Sequence, residues 1–136
     1  MAPFSEIFYH IVWKTAKDSP RMTPPTQRLI ENFLAGAGKK FGYTLVAAAV
    51  LEDHIHLFVR ALPGVAPGDL VLRLKNEIDD FLRQKLAMAS PPVWDEDYGV
   101  VSVSRSHAEL VAEYVKTQRQ RHKSGKTNRT LERTGA

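Results

Sequence analysis

Hydrophobic residues along this chain change their period several times, and each change marks an element. Ile7 to Trp13, IFYHIVW, is a run of β-branched and aromatic residues and predicts a first strand. The polar, proline-containing KTAKDSPRMTPP that follows ends in a helix start, with Thr23 as cap and Pro24 in the first turn. Leu29, Ile30, Phe33, Leu34 and Ala37 then keep helical spacing until Gly42 closes the element. YTLVAAAVL, Tyr43 to Leu51, and HIHLFVR, His54 to Arg60, predict two further strands joined by Glu52 and Asp53 in a tight hairpin. Beyond the Pro/Gly-rich ALPGVAPGD, Leu70, Leu74, Ile78, Phe81 and Leu82 predict a second helix with a charged outer face. DYGVVSVS predicts a fourth strand. Ser106 and Glu109 have the S-x-x-E spacing of a capping box and open a third helix running towards His122.

The order strand, helix, strand, strand, helix, strand, helix is the βαββαβ pattern of an α+β, ferredoxin-like sandwich followed by a C-terminal helix. Such a fold is an antiparallel sheet with two helices on one face, which leaves the other face for function or a partner. A chain of 136 residues suits one domain, expected over 1–123. SGKTNRTLERTGA, residues 124–136, is polar and small and is expected to be a basic, flexible tail.

Composition narrows the chemistry. With no cysteine, there is no disulfide, thiolate metal site or cysteine nucleophile, and any metal has only nitrogen and oxygen ligands. No apolar stretch reaches spanning length and the N-terminus lacks a signal-peptide pattern, so a cytoplasmic protein without a membrane partner is expected. Net charge is +4, yet Lys116 to Ala136 carries seven Lys/Arg against Glu132 alone, leaving the remainder at −2. Two readings of that basic end stay open: a surface for a polyanion, most simply nucleic acid, or a solvated, frayed terminus.

The stretch EDHIHLFV holds the candidate chemistry. Strand alternation sends Ile55, Leu57 and Val59 under the helices and His54, His56, Phe58 and Arg60 to the opposite face. The two imidazoles then stand roughly 6.5 to 7 Å apart at the backbone, from two strand steps of about 3.3 Å. At that separation they can converge on one ion, although a chance pair of hydrogen-bonding histidines reads the same way. On the third helix Tyr114 and Gln118 share a face, four residues apart. Taken alone this pair is a tyrosine at the core edge and an exposed glutamine. Delivered to a two-histidine metal site, it becomes a third neutral ligand and a nucleophile for phosphorus. A phenol with a pKa near 10 needs a nearby base or the field of a metal to react.

FYHIVWKT, VLEDHIHLFV, LKNEIDDFLRQ, WDEDYGVVSVSRS and VAEYVKTQ together resemble the single-tyrosine HUH transposases of the insertion-sequence 200/605 type, across most of the chain. The His-hydrophobic-His pair is weak alone; with W-x-x-x-Y-G and Y-x-x-x-Q in that order it is fairly specific. The resemblance implies that His54, His56 and Gln118 bind a divalent ion, Mg²⁺ or Mn²⁺. It implies that Tyr114 becomes linked to a 5′ phosphate as single-stranded DNA is cleaved and rejoined at hairpin-containing ends. It also implies a homodimer and a ferredoxin-like core. One departure is Glu52, where a proline often precedes the family's Asp-His; Asp53 is a turn residue with a possible orienting role behind a histidine ligand. An imidazole pair on its own suits Zn²⁺ or Mn²⁺ at least as well as Mg²⁺.

Other residues compete for attention. Tyr9, Tyr43 and Tyr98 fall on strands or strand ends and are expected to pack, as is Trp94 before base stacking. His10 is expected to be structural. Lys75, Arg119, Arg121, His122 and Lys123 are candidates for gripping a DNA backbone. Two further readings stand beside the transposase: a non-catalytic nucleic-acid-binding module using an open sheet face, and a domesticated relative acting on chromosomal repeats.

Overall fold

Strand pairing puts the histidine strand at the centre of the molecule. The computed structural model describes residues 4–87 and 91–135; the outermost residues of the expected domain and tail, 1–3 and 136, and residues 88–90 lie outside it. The elements are β1 (Ile7–Lys14), α1 (Pro24–Gly36), α2 (Gly38–Phe41), β2 (Tyr43–Val50), β3 (His54–Ala61), α3 (Pro67–Leu86), β4 (Gly99–Val103), a 3₁₀ turn (Arg105–His107), α4 (Ala108–Lys116), α5 (Gln118–Ser124) and α6 (Arg129–Glu132). The sheet runs β2-β3-β1-β4 with every neighbour antiparallel, which is the ferredoxin-like order expected from the pattern.

Local chemistry sets the boundaries. Thr23 caps α1 by accepting from the Thr26 amide, and Pro24 enters its first turn without needing a donor. Gly42, at φ 83°, takes the left-handed conformation that ends α2 and turns the chain into β2. On one face of the sheet, Ile11, Trp13, Ile55, Leu57 and Val59 pack against Ile30 and Leu34 of α1 and Leu70, Leu74, Ile78 and Leu82 of α3. Trp94 joins this layer, edge-on to Trp13 at 6.4 Å with its indole N–H donating to Asp79.

The opposite face is not left open. Phe58, Ala47, Ala112 and Val115 form a second apolar cluster where α4 crosses the sheet. A bulge between Leu45 and Ala47 reverses the side-chain parity of β2, so small residues, Ala47 and Ala49, meet α4 and the histidine strand. Two expectations for this region are corrected. Ser106 lies in the 3₁₀ turn with its hydroxyl against Ser104 and His107, so no capping box forms and α4 starts without a side-chain cap. The third helix is two helices: the Thr117 hydroxyl donates back to the Glu113 carbonyl at 2.8 Å, and Thr117 leaves helical geometry at φ −105°, ψ 21°. Within 124–136, Leu131 of α6 is buried and α6 packs on β1 and β4.

A candidate metal centre beside a buried tyrosine

Parity within β3 carries His54 and His56 to the face crossed by α4, where both are buried. Their neighbours fix which nitrogen each presents. Nδ1 of His56 lies 2.9 Å from Nε2 of His10, and Nδ1 of His54 lies 2.8 Å from Oδ1 of Asp53. Burial and the adjacent His56 push His10 down to about 3, so it is a neutral ring. His54 donates from Nδ1 to a carboxylate, and Nδ1 of His56 and Nε2 of His10 are joined by one proton that either ring can carry. With Nδ1 of each ring engaged from behind, both turn Nε2 to the same point, the arrangement found behind metal-binding histidines. Burial also lowers His54, partly offset by its bond to Asp53.

Two further groups reach that point. His122 of α5 brings Nε2 to 3.2 Å from Nε2 of His54, and Glu132 of α6 brings Oε1 to 3.2 Å from Nε2 of His56. One ligand atom from each of His54, His56, His122 and Glu132 falls within a span of 4.8 Å. Three imidazole nitrogens and a carboxylate oxygen are a donor set for a divalent transition ion, and electron-rich atoms so crowded are stable with a cation among them. Gln118 stands at the rim. Its amide oxygen is 2.9 Å from Nε2 of His122 and its amide nitrogen donates to the Tyr114 carbonyl.

Tyr114 is 5% exposed, with its ring edge-on to His56 at 6.0 Å. Its hydroxyl donates to Oε2 of Glu132 and accepts from the Asn128 amide at 2.7 Å. Burial raises the phenol above its ordinary value, and the bond to Glu132 adds to the rise. Although burial works against it, the His56 hydrogen bond and the surrounding donors hold the Glu132 carboxyl at about 2.

The sequence-derived candidates thus separate. His54, His56, Tyr114 and Gln118 meet, and His122, expected to grip DNA, lies in the cluster with them. Arg121 lies over the Tyr114 ring at 4.9 Å. Arg119 reaches Gln27, Glu31 and the Val50 carbonyl, and with Lys123 and His54 it lines a cleft of about 740 Å³. Lys75 is not brought there: it lies on α3, under the other face, donating to the Asp95 carbonyl at 2.8 Å. Sequence reasoning missed Glu132. Its one trace is that it is the single acid in the basic C-terminal run. The row Tyr114, Gln118, His122, at four-residue spacing, is the trace that leads to His122.

Residues 3–118 match the family model described as Transposase IS200 like. The ISDra2 transposase TnpA of Deinococcus radiodurans is 20% identical over 122 residues, covering 83% of this chain and 84% of that protein. Among solved structures, a transposase candidate from Deinococcus radiodurans superposes with a TM-score of 0.66 at 22% identity, covering 87% of this chain and 95% of that one. A REP-associated tyrosine transposase bound to a REP hairpin superposes with a TM-score of 0.58 at 12% identity, over 93% and 76% of the two chains. At these identities the structural likeness speaks for the fold.

Proposed function

This chain belongs to the IS200-like transposase family, and we propose that it cleaves and rejoins single-stranded DNA at hairpin-containing ends through a 5′ phosphotyrosine on Tyr114. The observation that carries this reading is the meeting of the Tyr114 hydroxyl with the inward nitrogens of His54 and His56 through one carboxylate. A nucleophile and a cation site that share a bridging group act on one phosphate.

His54 and His56 hold the ion, with a third donor from the Gln118–His122 pair, whose oxygen and nitrogen stand 2.9 Å apart. The nitrogen-rich set favours Mn²⁺ over Mg²⁺. When bound, the ion supplies a Lewis acid for a non-bridging phosphate oxygen. His10 and Asp53 engage Nδ1 of the two rings from behind and so orient Nε2 of each toward the ion. Tyr114 attacks phosphorus and releases a 3′ hydroxyl, and the phosphotyrosine keeps the bond energy for rejoining. Arg119 and Lys123 give the cleft a positive edge for the DNA backbone, and Arg121 places a cation over the Tyr114 ring. The protein works as a homodimer in the cytoplasm; among its described residues no helix is long and apolar enough to cross a membrane. A binding module using an open sheet face is disfavoured, because α4 covers Phe58 and its neighbours on that face.

The test is a denaturing gel of the protein with labelled single-stranded hairpins from its own gene's flanks, with Mn²⁺ or EDTA. A metal-dependent covalent adduct that disappears in Tyr114→Phe is expected. An adduct that survives that substitution, or none with the unchanged protein, sinks the reading.

A further inference from the structure

We propose that Glu132 is a catalytic residue: one carboxylate oxygen completes the cation site, and the other takes the proton of Tyr114. This deepens the reading above and rests on it. The family match ends at Gln118, so Glu132 lies outside the matched residues.

Three observations carry the inference. The first is position. Oε1 of Glu132 stands 3.2, 3.3 and 3.5 Å from Nε2 of His56, His122 and His54, while Oε2 accepts from the Tyr114 hydroxyl. No other side chain among the described residues touches both the histidine cluster and the phenol with a charged group. The second is the make-up of the donor set. One ligand atom from each of His54, His56, His122 and Glu132 lies within 4.8 Å of the others, and Oε1 is the carboxylate oxygen among three imidazole nitrogens. A cation held there takes its negative ligand from Glu132.

The third is that the carboxylate is delivered by packing. Leu131 is buried beside it, and the Asn128 side chain caps α6 by accepting from the Leu131 amide at 3.2 Å. Asn128 also donates its backbone amide to the Tyr114 oxygen, leaving the phenolic proton directed at Glu132. Gly99 of β4 completes the seat: a β-carbon there would overlap the carbonyl of Arg133, so the absence of a side chain lets the C-terminal segment lie against the sheet.

In the step itself, the Tyr114 oxygen forms a bond to phosphorus as its proton passes to Oε2 of Glu132. The bond from phosphorus to the 3′ oxygen breaks, and that oxygen takes a proton from water to become a hydroxyl. Rejoining reverses each transfer, so Glu132 returns the proton to the departing phenol.

Two measurements on the full chain test this. In DNA-free Mn²⁺ titration calorimetry, Glu132→Gln should bind at least about tenfold more weakly, while Tyr114→Phe binds as the unchanged protein does. In single-turnover adduct formation, Glu132→Gln should be slower by about a hundredfold, and Glu132→Asp should recover part of both losses. Matching thermal melts show that the variants fold, and Glu132→Asp carries the comparison if Glu132→Gln does not. Unchanged Mn²⁺ affinity with equal or faster adduct formation would overturn the proposal, and would make Glu132 an occupant of the phosphate's place in the DNA-free protein. If the unchanged protein forms no adduct, the proposed transposase chemistry fails and the proton-transfer half falls with it. The calorimetry still decides whether Glu132 is a ligand.

Discussion

The rings of His10 and His56 are joined edge to edge on neighbouring strands, with Nε2 of the first 2.9 Å from Nδ1 of the second. Register explains the pairing: His10 faces Phe58 and Val12 faces His56 across β1 and β3, so the two histidines are diagonal neighbours on one face. His10 is 1% exposed and neutral, and it holds Nδ1 of His56 through one hydrogen bond. Replacing it by phenylalanine keeps the buried volume and removes that hydrogen-bond partner. His10→Phe should therefore fold normally and bind Mn²⁺ about tenfold more weakly. Calorimetry showing unchanged affinity would mean that the ring of His56 is held by packing alone.

Gly99 tests the seat of the C-terminal segment without altering any group of the cluster. A methyl there would meet the Arg133 carbonyl and crowd a methyl of Val12 at 3.0 Å. Gly99→Ala should cost roughly 1–3 kcal/mol through overpacking. Its more specific effect is local: the backbone amides of Leu131, Glu132 and Arg133 should exchange with solvent faster than in the unchanged protein. Hydrogen exchange that is uniform between the two proteins would show that the segment docks without help from this glycine.

These two positions also show what the sequence could and could not carry. Alternation in β3 assigned the histidines and Ile55, Leu57 and Val59 to opposite faces, because parity is a local property of a strand. The cover over the histidines was not legible. It depends on α4 crossing the sheet, on the bulge that turns Ala47 and Ala49 outward, and on the Thr117 hydroxyl breaking the last helix. Glu132 was hidden for a related reason. Its helix is four residues long and anchored by a single buried leucine among polar neighbours, so no hydrophobic period announces it. Its meaning comes from residues far away in the chain, His54, His56 and Tyr114.

Lys75 separates a structural cation from the basic residues at the cleft. Burial lowers its pKa against the raising influence of Asp95, Asp97 and Glu96, and its ammonium donates to the Asp95 carbonyl. Lys75→Met keeps the apolar stem and removes that donor, so a loss of about 1 kcal/mol in stability is expected. Affinity for single-stranded DNA should not change. Lys123→Ala should behave in the opposite way, leaving the melt unchanged, weakening DNA binding and reducing its salt dependence by about one phosphate contact. Equal losses of DNA affinity in both variants would contradict this division.

Tyr43 supplies a pH dependence outside the cation site. It is buried between β2 and α1, donates to the Leu34 carbonyl at 2.7 Å, and is pushed by burial up to about 12 from an ordinary value near 10. Because the folded protein keeps a proton that the unfolded chain releases, this group favours folding fully below about pH 10. Its contribution is lost as pH rises from about 10 to about 12. Tyr43→Phe should cost about 1 kcal/mol at neutral pH by leaving the Leu34 carbonyl without its donor. In alkali the unchanged protein loses stability that the variant does not, so the gap between their melting temperatures should narrow from about pH 7 to about pH 11. A gap that stays constant would show that the Tyr43 hydroxyl ionises as freely in the folded protein as in the unfolded chain.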